Sequence, residues 1–217
     1  MWMQQGANEH ATILNDLILS GRERKGQIEW KSPLFGDDCA EYRDRDFLSK
    51  LGRDQLRSEL EKFWPSRGPQ WDPLATCDDT LLLIEAKAHI GELFSTEMQA
   101  GEMSAPKIEA AMAETAAYIH AKPRVPWSTL FYQLANRIAH LYFLRMHKQK
   151  AKLVLINFVG DSKMRGPSSE AEWRAAYKVV WHVLGIPENH KLSADVIEIF
   201  PHVRLEPWTS SHGPAVG

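Results

Sequence analysis

Gly68-Pro69-Gln70-Trp71-Asp72-Pro73 runs into Leu74-Ala75-Thr76-Cys77, then Asp78-Asp79, then Thr80-Leu81-Leu82-Leu83-Ile84-Glu85-Ala86-Lys87-Ala88-His89. Two aspartates between two extended runs read as a short turn, so residues 70–76 and 81–89 are expected to form an antiparallel hairpin. With the turn at its centre, paired positions sum to 157, which sets Asp72 opposite Glu85. Directly opposed residues have Cβ atoms roughly 4.5–5.5 Å apart. Two carboxylates that close repel each other unless they share a cation, and a hard divalent ion suits them. Pro73 lacks an N–H and is the one place where a bulge would shift this register.

Side chains alternate along a strand, so Glu85, Lys87 and His89 fall on the face of Leu81 and Leu83, and Ala86, Ala88 and Ile90 on the other. Charged groups beside a leucine row are costly to bury without partners. That cost points to a functional use of the strand's last third.

Outward from the hairpin, the 217 residues predict one α/β domain over residues 1–206 and a polar tail over 207–217. A hydrophobic fraction of 44% and a charged fraction of 25% are those of a globular chain with a substantial core. No apolar run approaches the roughly 18 residues of a membrane span, and Met1-Trp2-Met3-Gln4-Gln5 has no signal-peptide character. Cys39 and Cys77 show no metal-ligand spacing and read as reduced thiols of a cytoplasmic protein. The net charge of −2 is unevenly spread: residues 120–178 hold 11 Lys and Arg against 3 Asp and Glu, and the remainder 15 against 25. This fits a polyanion-facing surface opposite an acidic site, and equally fits solvated helix faces.

In chain order, residues 8–20 predict a short amphipathic helix and 26–39 a loop with a brief strand at 28–30. Residues 46–63 read as one helix with Gly52 its weak point, ended by Pro65 and Gly68. After the hairpin and a connection over 91–101 come helices over 104–120 and 128–148, broken apart by Pro123 and Pro126. Residues 152–159 form a strand apolar on both faces, as central parallel strands are. Ser169 with Glu172 is a capping box opening a helix to Leu184-Gly185, and 195–200 is a last strand. The expected fold class is α/β with a central mixed sheet, an antiparallel hairpin first and crossover strands after, flanked by helices.

An Asp on the first hairpin strand and Glu-x-Lys ending the second, set in this element order over residues 46–160, resembles the PD-(D/E)XK (restriction-endonuclease-like) nuclease superfamily. The resemblance implies that Asp72, Glu85 and the Ala86 carbonyl bind Mg²⁺ (or Mn²⁺) and that Lys87 positions the attacking water. It also implies a nucleic-acid partner, DNA ahead of RNA. Trp71 stands before Asp72 where the family motif has proline, and either Glu59 or Glu41 answers to the third acid of some members. The residue types suit phosphodiester hydrolysis in their own right, since it needs phosphate charge neutralised and a water activated.

Gln133, Arg137 and His140 share a helix face and read either as substrate-contacting residues, with His89 beside them, or as a solvated polar face. Trp64, Trp71, Trp127, Trp173 and Trp181 read as core packing or as platforms for unpaired bases. The nine histidines have no zinc spacing, and phosphate-loop and hydrolase motifs are absent. The expected activity is therefore metal-dependent nucleic-acid hydrolysis. The alternative is a catalytically inactive nuclease-fold protein that binds nucleic acid or protein. A third possibility makes Glu85 and Lys87 an exposed pair at a sheet edge. No membrane partner is expected, and homodimerisation is left open.

Overall fold

The computed structural model describes residues 9–20, 26–34, 40–71 and 73–203. Asp72, Cys39 and the tail from residue 204 lie outside the described residues. Five strands make one mixed sheet in the order β1 (Ile28–Ser32), β2 (Leu74–Cys77), β3 (Thr80–Lys87), β4 (Ala151–Asn157), β5 (Val196–Ile199). The β1–β2 and β2–β3 pairs are antiparallel, and the β3–β4 and β4–β5 pairs are parallel. The expected α/β class with a mixed, helix-flanked sheet is thus observed. Among the described residues no helix is long and apolar enough to cross a membrane.

The hairpin pairs Leu74 with Leu83, Ala75 with Leu82, Thr76 with Leu81 and Cys77 with Thr80, so every pair sums to 157 as expected. The described pairing begins at Leu74, so the register at Pro73 and Asp72 lies beyond it, and a separate irregularity falls in β1, between Trp30 and Ser32. The brief strand at 28–30 is a full edge strand paired along β2.

Strand alternation sorts the sheet into two apolar faces. Ala75, Cys77, Leu82, Ile84, Val154, Ile156 and Ile199 pack beneath α1 (Glu9–Leu19) through Leu14 and Ile18. Leu74, Leu81, Leu83, Leu153 and Leu155 face the larger core. That core is built from α2 (Asp44–Lys50), α3 (Arg57–Phe63), α4 (Ala105–Tyr118), α5 (Tyr132–Met146) and α6 (Glu170–Leu184). Trp64, Trp71, Trp127 and Trp173 are all buried, which decides for packing over base platforms at these four.

Residues 46–63 form two helices, not one. Gly52 adopts φ 66, and the Gly52 and Arg53 N–H groups close on the carbonyls of Ser49 and Leu48 at 3.0 and 2.7 Å. These are the two bonds of a Schellman stop, which a glycine adopts without strain. At the other end of the chain, Ser169 accepts from the Glu172 N–H and Gly185 closes α6 with φ 67, as its capping signals predicted.

Strand β3 ends at Lys87, two residues earlier than expected. The Glu92 carboxylate accepts the N–H groups of Ala88 (2.6 Å) and His89 (3.3 Å) and turns the chain into a short 3-10 helix, Ile90–Leu93. Likewise α5 starts at Tyr132, where Ser95 Oγ accepts the Gln133 N–H at 3.0 Å.

Candidate active site

Glu85 and Lys87 emerge from β3 on the face of Leu81 and Leu83, under α5. They are buried, Glu85 to 6% exposure, which removes the reading of an exposed edge pair. Lys87 Nζ donates to Glu85 Oε1 at 2.5 Å and to Gln133 Oε1 at 2.6 Å. Arg137 Nε donates to the other carboxylate oxygen, Oε2, at 2.7 Å.

Helix α5 supplies this second layer because Gln133, Arg137 and His140 recur at 3–4 spacing on one face. That face is not solvated: Arg137 is 4% and His140 1% exposed. Beyond Glu85, Arg137 donates from Nη2 to the Gln70 carbonyl at 2.8 Å and from Nη1 to Asn136 Oδ1 at 3.2 Å. Its guanidinium carbon lies 4.4 Å from the Trp71 ring centroid, a cation–π contact. One guanidinium therefore joins β3, α5 and the segment leading into the hairpin. The Trp71 indole N–H alongside it has no hydrogen-bond partner among the described residues.

His140 sits deeper, its ring 4.8 Å from that of Trp64 and 6.0 Å from that of Trp71. Its Nδ1–H donates to the Asn136 carbonyl at 2.8 Å, which fixes the tautomer, since a carbonyl only accepts. Burial first, and the Arg137 charge after it, push its pKa down to about 3, so it is a neutral wall of the site.

Burial alone would raise the Glu85 pKa, but the positive charges of Arg137 and Lys87 and their hydrogen bonds outweigh it and hold the carboxyl below its ordinary range. Across the ladder from Lys87 stands Asn157, whose Oδ1 accepts from the Tyr177 hydroxyl at 3.0 Å. Burial, with Glu198 and Glu85 nearby, raises the Tyr177 pKa well above its usual value, so it remains a donor.

The sequence-derived candidates separate accordingly. Glu85, Lys87, Gln133 and Arg137 come together in one cluster. His89 leaves the strand face, caps the Ile90–Leu93 turn and places its Nε2 3.7 Å from Glu92. Ala86 lies between the two charged residues, with its side chain on the α1 face. Glu59 pairs with Lys62 at 2.7 Å on the surface of α3. Glu41 accepts from the Gln70 side chain, and the antiparallel bridge between Tyr42 and Trp71 holds it at the entrance to the hairpin. Asp72 lies outside the described residues. Gln70, Asn136, Asn157 and Tyr177 are additions from the structure. The last two carried no sequence signal, because their pairing depends on how α6 lies over β4.

Among the described residues no three His, Cys, Asp or Glu side chains are grouped for a metal ion. The cluster holds one carboxylate against two cationic groups. Glu85 is a hard oxygen donor of the kind Mg²⁺ or Mn²⁺ favours, but both its oxygens are engaged by Lys87 and Arg137, and an ion there would need at least one further acid. Asp72, which the sequence register sets opposite Glu85, lies outside the described residues, and Glu41 is the described acid tied to the same end of the hairpin. Comparisons of the chain with protein-family models, with curated proteins and with solved structures return no match.

Proposed function

We propose that this chain is a metal-dependent nuclease of the PD-(D/E)XK, restriction-endonuclease-like type, hydrolysing nucleic-acid phosphodiester bonds. The observation that carries the reading is the burial of Glu85 and Lys87 together at the end of β3, with Gln133 closing on Lys87 from α5. A buried ion pair is an expensive way to hold a strand end, so its retention there asks for chemistry.

Lys87 is an ammonium with three donor hydrogens. Among the described residues two of them are committed, to Glu85 and Gln133, and the third is left to hold a water at the strand end. Gln133 fixes the direction of that third hydrogen. Arg137 locks the Glu85 carboxylate in place. Mg²⁺ or Mn²⁺ held by Asp72, Glu85 and the Ala86 carbonyl would neutralise charge on the scissile phosphate. DNA is the substrate class proposed ahead of RNA.

A second reading, a nuclease-fold protein that binds without cutting, is favoured by one observation: both oxygens of Glu85 are already engaged by cations. One experiment separates the two. Purified protein is incubated with Mg²⁺ or Mn²⁺ and supercoiled plasmid, single-stranded DNA or RNA, alongside Asp72→Ala and Lys87→Ala. Cleavage abolished by both substitutions is expected. Cleavage surviving both would sink the assignment. Metal binding lost in Asp72→Ala, with no substrate cut by the parent, would establish the binding module.

A further inference from the structure

A cavity of about 520 Å³ opens between α2, α3 and the start of α4, with His140 of α5 in its wall. None of Glu85, Lys87, Gln133 and Arg137 lines it, so it is separate from the buried cluster. The two are nevertheless neighbours, because His140 and Arg137 both pack on the Trp71 ring.

His140 brings a hydrogen-bond acceptor to this cavity. Its ring stands among those of Phe47, Phe63, Trp64 and Trp71, with centroids 6.1, 6.4, 4.8 and 6.0 Å away. Nδ1–H is spent on the Asn136 carbonyl, so Nε2 carries the bare lone pair. Among the described residues Nε2 has no partner, and the only fully enclosed side-chain nitrogen or oxygen without one is Trp71 Nε1. Nε2 therefore keeps an opening, and the cavity is the space that His140 lines. A buried acceptor without a donor is costly, and a ligand that supplies the donor recovers that cost.

The rest of the wall sets the kind of molecule. Leu60, Trp64 and Pro65 are apolar, and Met103, 94% exposed beside them, has a thioether suited to the edge of an aromatic ring. Asp44 and Glu61 stand against Arg45 and Lys107, so the formal charges cancel and no net charge is selected. Asp44 is further occupied by the N–H groups of Arg67 and Gly68 at 2.9 and 2.8 Å, and Lys107 Nζ by the Glu61 carbonyl at 3.1 Å. A cavity of this size, with apolar walls and one placed polar atom, suits a small organic molecule.

We propose that this cavity binds a small uncharged aromatic molecule through a ring N–H donated to His140 Nε2, with the ring against the apolar wall. The site goes beyond the nuclease reading and does not depend on it.

The test uses the full chain with indole and with benzofuran, which has the same shape but no N–H. Long-range proton–nitrogen NMR spectra read the imidazole nitrogens, and the His140 Nε2 signal is identified by its loss in His140→Phe. Indole should shift that signal saturably and bind at least about tenfold more tightly than benzofuran, since without the donor Nε2 stays unpaired. His140→Phe, its folding checked by thermal midpoint, should bind the two probes alike. The comparison of probes on the parent chain decides the matter even where that variant fails to fold. Equal affinity for the two probes in the parent, indole binding that leaves the Nε2 signal in place, or no binding of indole overturns the proposal and leaves the nuclease reading untouched.

Discussion

Arg137 Nε stands 2.7 Å from Glu85 Oε2, so residues 52 positions apart in the chain meet as a buried ion pair. Arg137 also holds the Gln70 carbonyl and stacks on Trp71, and its removal strips three elements at once. Arg137→Met should lower the unfolding free energy by roughly 3–5 kcal/mol, the cost of breaking a buried pair. Combined with Glu85→Gln, the loss should fall short of the sum of the single losses by roughly 0.5–3 kcal/mol. Urea titrations of the four proteins measure both. A single variant within about 1 kcal/mol of the parent would show that the pair does not hold the site.

Stability should fall with acid in two stages, the first of them, between pH 6.5 and 4.5, free of Glu85. The unfolded chain protonates His140 near its ordinary value of 6.5, and the folded protein refuses that proton until about pH 3. The folded pKa is depressed, so stability drains away as pH falls below 6.5, by up to about 1.4 kcal/mol per pH unit from this group. Burial moves His190 in the same direction. Glu85, also depressed in the folded state, contributes fully above its ordinary 4.5 and loses that contribution only below it. His140→Gln should therefore flatten the curve between pH 6.5 and 4.5, and Glu85→Gln should alter its pH dependence only below 4.5. Denaturation series in metal-free buffer across that range check the assignment.

Lys87 and Gln133 should differ in kind. On the proposed reading Lys87→Met removes the group that holds the water and should reduce cleavage by at least about 10²-fold, in the range of lost general acid–base groups. Gln133→Ala leaves Lys87 on Glu85 but frees its direction, so a smaller loss is expected, on the order of tenfold in kcat with KM unchanged. Steady-state cleavage of a short oligonucleotide reads both. Equal losses would mean that Gln133 does more than orient.

Gly166→Ala should push the β4–α6 loop off the end of β3, because the added methyl meets a backbone carbonyl and not a yielding side chain. A destabilisation of roughly 1–3 kcal/mol is expected from such overpacking, read by urea titration. Unchanged stability would show that the loop rides freely on β3.

Much of the site was legible before the fold. The register of Leu74–Cys77 against Thr80–Leu83 followed from one turn and one apolar pattern, since a two-fold side-chain repeat tolerates no one-residue slip when both faces are buried. Glu85 and Lys87 on a common face followed from the same repeat. His89 did not, because the Glu92 carboxylate competes for the N–H groups that would have continued the strand. Gly52 was visible as a weak point, yet whether a glycine bends a helix or ends it depends on the left-handed turn it makes there.

By itself, then, the sequence determined what local periodicity controls: a hairpin in register, an acid and a lysine sharing one strand face, and α6 bounded by Ser169 and Gly185. Only the tertiary structure decided what those charges touch. Gln133 and Arg137 could have faced water on an amphipathic helix. The packing of α5 over Leu81, Leu83 and Leu155 turned them inward, where a buried carboxylate needs partners and Glu85 found two cations. Long-range partners of this kind are set by how faces pack, and no spacing along one chain segment encodes them.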